Sequence, residues 1–119
     1  MEYTLTPEQL HSRELFRVFA TEEIAPYADQ HDRDEQMPES IVKKFAATGW
    51  LGAVVPKEHG GQNMDTITFG LLCEEIGRVS ASFLSLLTVH GMVCQALLKW
   101  GTAEQQAVWL PRLASGATI

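Results

Sequence analysis

The chain has 119 residues, 45% of them apolar and 20% charged, which is one domain's length, sufficient for a hydrophobic core and outside the composition of disordered chains. Nine Lys and Arg stand against fifteen Asp and Glu, for a net charge of −6; such a surface repels polyanions and argues against nucleic-acid binding. The two cysteines, Cys73 and Cys94, are too few for a disulfide scaffold and read as buried free thiols in a reducing compartment. With no basic stretch followed by an apolar run in MEYTLTPEQLHSRELF, the expected location is the cytoplasm.

Thr6-Pro7-Glu8-Gln9 is a helix start: Thr6 can cap, Pro7 suits the first helical position, and Gln9 can reach back in a capping box. Phe16, Phe19, Ala20 and Ile24 then recur at helical spacing, and Pro26 is expected to close this first helix. The polar segment Asp29–Gln36 reads as a short turn or broken helix. From Pro38 a second helix places Ile41, Val42, Phe45 and Ala46 on one face, with Gly49 as a left-handed cap. Trp50–Pro56 is too short and irregular for a further helix.

Asp65 caps a third helix carrying Phe69, Leu72, Cys73 and Ile76, along which Glu74 and Arg78 can pair across one turn. A fourth helix, from about Ser82 to Lys99, is apolar on nearly all sides, so it belongs in the middle of something larger. Its apolar stretch Phe83–Leu98 is interrupted by polar residues and falls short of the ~20 residues that span a bilayer, giving a core helix and no membrane span. Gly101 ends it. Thr102-Ala-Glu-Gln105 opens a fifth helix with Ala103, Ala107 and Leu110 on one side and Trp109 and Leu113 beside them. LPRLASGATI closes on a β-branched pair that reads as the start of a strand, as in a piece of a longer chain. The fold class is therefore all-α, a bundle of five or six helices forming a single domain over 1–119, with more apolar surface on the fourth helix than its partners can cover.

Three kinds of site can be weighed. In Val55-Pro-Lys-Glu-His-Gly-Gly-Gln-Asn-Met-Asp65 the lysine precedes the glycines and a carboxylate guards the next helix, the reverse of a phosphate loop, so the glycines read as a bend. His11, His31, His59 and His90 are scattered singly, without metal-ligand spacing. Among them His90 lies mid-helix among apolar neighbours, where a histidine bonded to a nearby carbonyl is a simpler reading than a catalytic one. Glu22-Glu23, Glu74-Glu75 and Asp32–Glu35 read as solvated faces, and no nucleophile motif is present. Ser85, Thr88, Met92 and Gln95 form one stripe on the fourth helix. Small, weakly polar side chains there either line a pocket for a mostly apolar ligand or allow close helix packing.

Taken in order, EEIAPYADQHDRDEQMP, GWLGAVVPKEHGGQNMD, CEEIGRVSAS and TVHGMVCQALLKWGTAEQQAVWLPRLASG resemble the N-terminal helical domain of the flavin-dependent acyl-CoA dehydrogenases, from about Leu5 onward. The resemblance implies a following β domain and second helical domain, absent from this chain, which hold most FAD contacts and the catalytic glutamate. It also implies α,β-dehydrogenation of an acyl thioester, with the redox chemistry supplied by FAD, an electron-accepting flavoprotein or other acceptor, and a homo-oligomer. Aligned through Gly101, the family's acyl-pocket positions fall on Leu84, Ser85, Thr88 and Met92. The chain is similar as well to members from polyketide and peptide assembly lines, so the thioester is carried on CoA or on a carrier protein, and secondary metabolism is one setting. No catalytic, FAD-binding or metal-binding residue is assigned within 1–119, and the chain alone is expected to be inactive. The alternative is a stand-alone helical interaction module.

Overall fold

The structure, a computed structural model, describes residues 4–119. Its α-helices are α1 (Pro7–Phe19), α2 (Ala25–Arg33), α3 (Glu39–Ala47), α4 (Thr66–Val79), α5 (Ala81–Trp100) and α6 (Ala103–Ser115), with a π-helical segment at Ala20–Ile24 and 3₁₀ turns at Trp50–Gly52 and Lys57–His59. The expected all-α bundle is formed. Helix α1 and the π segment pack on α4, α4 on α5, and α5 on α6, with the Trp50–Gly52 turn wedged among α3, α5 and α6. The result is a slab of 41 × 40 × 20 Å.

Local signals set the helix starts. The hydroxyl of Thr6 accepts from the Gln9 N–H at 3.1 Å while the Gln9 side chain accepts from the Thr6 N–H at 3.0 Å. Thr102 and Gln105 repeat the same box at 3.1 and 2.9 Å. Reciprocal bonds of this kind satisfy donors that no helical carbonyl can reach. Gly49 takes the left-handed conformation anticipated for it, at φ 82°.

Pro26 does not close the first helix. In a regular α-helix its ring would crowd the Glu22 carbonyl and leave it without a donor. Here the chain widens into the π segment just before the proline, with the Ala25 N–H reaching back five residues to the Ala20 carbonyl. Helix therefore continues as α2 to Arg33, and the turn is confined to Asp34 and Glu35. A single π turn is a recognised way of absorbing such a local misfit.

Three further expectations change. Arg78 pairs with Glu75 at 3.1 Å, not with Glu74, and donates to the Thr21 hydroxyl at 3.0 Å. Glu75 is thus buried, not part of a solvated face, and Arg78 bridges α4 to the π segment. On α6 the buried residues are Leu110, Leu113 and Ala114, whereas Ala103 and Ala107 are exposed. The physical reason is Gln106, whose amide donates to the carbonyls of Leu97 and Gly101 at 3.1 and 3.2 Å; satisfying the end of α5 turns the Gln106 side of α6 inward. Thr118 and Ile119 form no strand, and the Thr118 N–H folds back onto the Arg112 carbonyl at 3.2 Å.

The main core gathers Phe16, Ile24, Phe45, Leu72, Ile76, Phe83 and Leu87. A smaller cluster of Val55, Cys94, Leu110, Leu113 and Ala114 joins α5 to α6. Trp50 is half-buried, edge-on to Phe16 at 4.9 Å, Phe19 at 5.4 Å and Phe45 at 5.8 Å. Cys94 is fully buried and its thiol is pushed up to about 11 by desolvation, while Cys73 is only half-buried, less than its sequence context implied.

Helix α5 begins at Ala81, one residue before its expected start. Ser80 caps it by accepting from the Phe83 N–H at 3.1 Å. At 20 residues it meets the length and composition of a membrane span, which the apolar stretch Phe83–Leu98 did not. Its buried stripe of Phe83, Leu87, His90, Gly91 and Cys94 is instead packed within the bundle.

Candidate functional site

Helix α5 leaves an open groove on each side of its buried stripe. Between α5 and α6 lies one of about 730 Å³, lined by Ser85, Val89, His90, Val93, Trp109 and Ile119 among others. On the opposite flank, α5 faces α4 and the preceding loop across a groove of about 640 Å³, whose walls include Thr88, Met92 and Gln95 opposite Met64 and Phe69. Both are apolar grooves with few polar groups, the general character of a small-molecule or domain-packing surface.

The sequence-derived residues divide between these surfaces. Thr88 and Met92 stand together in the α4–α5 groove, with Gln95 one turn on. Ser85 sits at the rim of the same stripe but lines the α5–α6 groove. Leu84 lines neither; it is half-buried against the main core and lies over Gly77, where any added Cβ would come within 2.9 Å of it. The Thr88 hydroxyl donates to its own helix, at 3.0 Å to the Leu84 carbonyl and 3.2 Å to that of Ser85. Its methyl is therefore the part free to meet a ligand. Met92 is 67% exposed.

His90 is buried, and its Nε2 lies 2.8 Å from the Leu113 carbonyl. Because a carbonyl only accepts, Nε2 carries the proton and donates. The simpler reading of this histidine is the one realised: it ties α5 to α6.

The VPKEHGGQNMD loop is a bend. Gly60 has φ 83°, and a Cβ on Gly61 would fall 2.0 Å from the Val55 carbonyl oxygen, so the loop closes on its own backbone. Asp65 occupies the N-terminus of α4, accepting from the Thr68 N–H at 2.9 Å and the Thr68 hydroxyl at 2.6 Å. These bonds hold its carboxyl below the ordinary range. A helix end already filled by a carboxylate is no cradle for a flavin diphosphate. Among the described residues no three His, Cys, Asp or Glu side chains converge as metal ligands.

Sequence reasoning missed the Val89, Val93 and Trp109 groove. Its signal was the near-continuous apolarity of α5, which shows that faces need covering without showing how many or by what.

The fold is a slab of helices whose long apolar member is flanked by two open grooves, the architecture of an all-α domain. The family profile described as "Acyl-CoA dehydrogenase, N-terminal domain" matches residues 6–117, and the chain belongs to that family. It is 36% identical to acryloyl-CoA reductase (NADH) of Anaerotignum propionicum over 100% of this chain and 30% of that protein. It is 36% identical to an acyl-CoA dehydrogenase of Bacillus subtilis over 94% of this chain and 30% of that protein. Among solved structures, a glutaryl-CoA dehydrogenase from Mycobacterium smegmatis in complex with FADH2 superposes with a TM-score of 0.90 at 26% identity, covering 97% of this chain and 30% of that one. The chain thus spans about a third of the length of these relatives.

Proposed function

We propose that this chain is the N-terminal helical domain of an FAD-dependent acyl thioester dehydrogenase and that α5 supplies one wall of its acyl pocket. The observation that carries the reading is the family match over nearly the whole chain, joined to a groove in which Thr88 and Met92 stand side by side. Leu84, half-buried against the main core and over Gly77, would hold this part of α5 in position, while Ser85 faces the α5–α6 groove instead. Among the described residues, two places that could cradle a flavin diphosphate are closed: the Gly60-Gly61 pair folds onto Val55 and the α4 N-terminus is filled by Asp65. Most of the FAD contacts and the proton-abstracting base accordingly fall to the two thirds of the relatives' length that this chain does not span. The part left to this domain is to orient the acyl chain and exclude water around it. The thioester carrier is CoA or a carrier protein, and the electrons leave through a flavoprotein or other acceptor bound by an oligomer of the full-length protein.

The test is to purify the full-length protein and titrate it anaerobically with acyl-CoA. Flavin absorbance that co-purifies and bleaches on addition of substrate is the expected result. A flavin-free protein would favour the stand-alone interaction module, for which the exposed Val89, Val93 and Trp109 offer the surface.

A further inference from the structure

Resting on the acyl-wall reading above, we infer that Gly77 on α4 sets how far the acyl wall extends, by giving Leu84 of α5 room to lie back against α4. Gly77 is a positioning residue, acting through Leu84. The backbone does not call for glycine there. Its φ is negative, unlike those of Gly49, Gly60 and Gly116, and it stands inside α4, where glycine is among the poorest helix formers. What its missing side chain supplies is space: a Cβ on Gly77 would come within 2.9 Å of Leu84 Cδ2, closer than packed carbons approach.

Leu84 lies one turn before Thr88, whose hydroxyl donates to its carbonyl, so the two side chains follow one another along one side of α5. Leu84 is packed against the main core. With the core behind it and the α4 backbone beneath it, its tip ends the Thr88–Met92 stripe, and the open stripe beside Thr88 is where a displaced tip goes. The seam between α4 and α5 is built in the opposite sense at its other end. Two turns beyond Leu84, Gly91 of α5 leaves room for the Phe69 ring of α4, whose Cζ lies 3.4 Å from where a Gly91 Cβ would be. Phe69 and Gly91 both line the α4–α5 groove with Thr88. This second contact fixes the spacing of the helix pair, so a side chain added at Gly77 moves the flexible Leu84 tip and not the helices.

The experiment measures the chain-length profile of kcat/KM for saturated acyl-CoA substrates in the full-length protein. Gly77→Ala should lower kcat/KM for the longest substrates that wild type accepts by about tenfold, the scale of one methylene in a hydrophobic pocket, and leave the shorter ones unchanged. Flavin content and melting temperature verify that each variant is folded. Leu84→Ala alone should extend the profile to longer chains, and combined with Gly77→Ala it should restore the lost ones, a coupling that a purely structural role of Gly77 would not produce. If Thr88→Leu shortens the profile while folded Gly77→Ala leaves it as in wild type, the inference is overturned and the wall stands. A loss in Gly77→Ala that Leu84→Ala does not restore also overturns it, because the effect then bypasses Leu84. Should Gly77→Ala fail to fold, Leu84→Ala decides, and an unchanged profile there overturns the inference. If none of Thr88→Leu, Gly77→Ala and Leu84→Ala shifts the profile, the wall itself is misassigned and the inference falls with it.

Discussion

The imidazole of His90 on α5 donates to the main-chain carbonyl of Leu113 on α6 across 2.8 Å, with both residues buried. The same carbonyl also accepts from the Gly116 N–H at 3.2 Å, so losing the histidine does not orphan it. His90→Leu should therefore cost about 1–2 kcal/mol, the net value of one buried hydrogen bond with some repacking. Urea unfolding monitored by circular dichroism measures this, and an unchanged midpoint would show that the bond contributes nothing.

Trp50 meets three phenylalanine rings edge-on, which fastens the 3₁₀ turn to α1 and α3. Because the ring is only half-buried, Trp50→Ala should cost about 3 kcal/mol, the lower end for a large aromatic truncation. Trp50→Phe should restore most of the lost melting temperature. Equal losses in the two variants would place the contribution in the indole N–H instead of ring packing.

The Asp65 cap gives a pH signature. The Thr68 hydroxyl and N–H hold its folded-state carboxyl below the ordinary value of 3.8. A depressed folded pKa contributes stability that is complete above the unfolded value and is lost as pH falls through the folded one. Asp65→Ala should lower stability by about 1 kcal/mol at pH 7, and the difference from wild type should shrink as pH drops below 3.8. A difference that stays constant down to pH 2 would contradict a charged cap.

Features that depend on a few neighbouring residues were legible in the sequence: the Thr6 and Thr102 boxes, the Asp65 cap and the left-handed Gly49. Pro26 was misread because a proline alone signals a stop, whereas its accommodation required the π turn before it. Glu74 and Glu75 are both within reach of Arg78 along a helix, and only the packing of α4 against the π segment selects Glu75. The inward face of α6 follows from what Gln106 finds at the end of α5, a tertiary fact with no local signal. At the candidate site, helical spacing places Thr88 and Met92 in one groove, but which groove receives Ser85 is decided by α6, an element its own helix does not encode.

The most direct test of the acyl-wall assignment is the chain-length profile of the full-length protein carrying Thr88→Leu. Filling the α4–α5 groove at Thr88 should shorten the longest acyl-CoA accepted, lowering kcat/KM for the longer substrates by about tenfold or more, with flavin content unchanged. A profile identical to wild type in the folded, flavin-loaded variant would contradict the assignment.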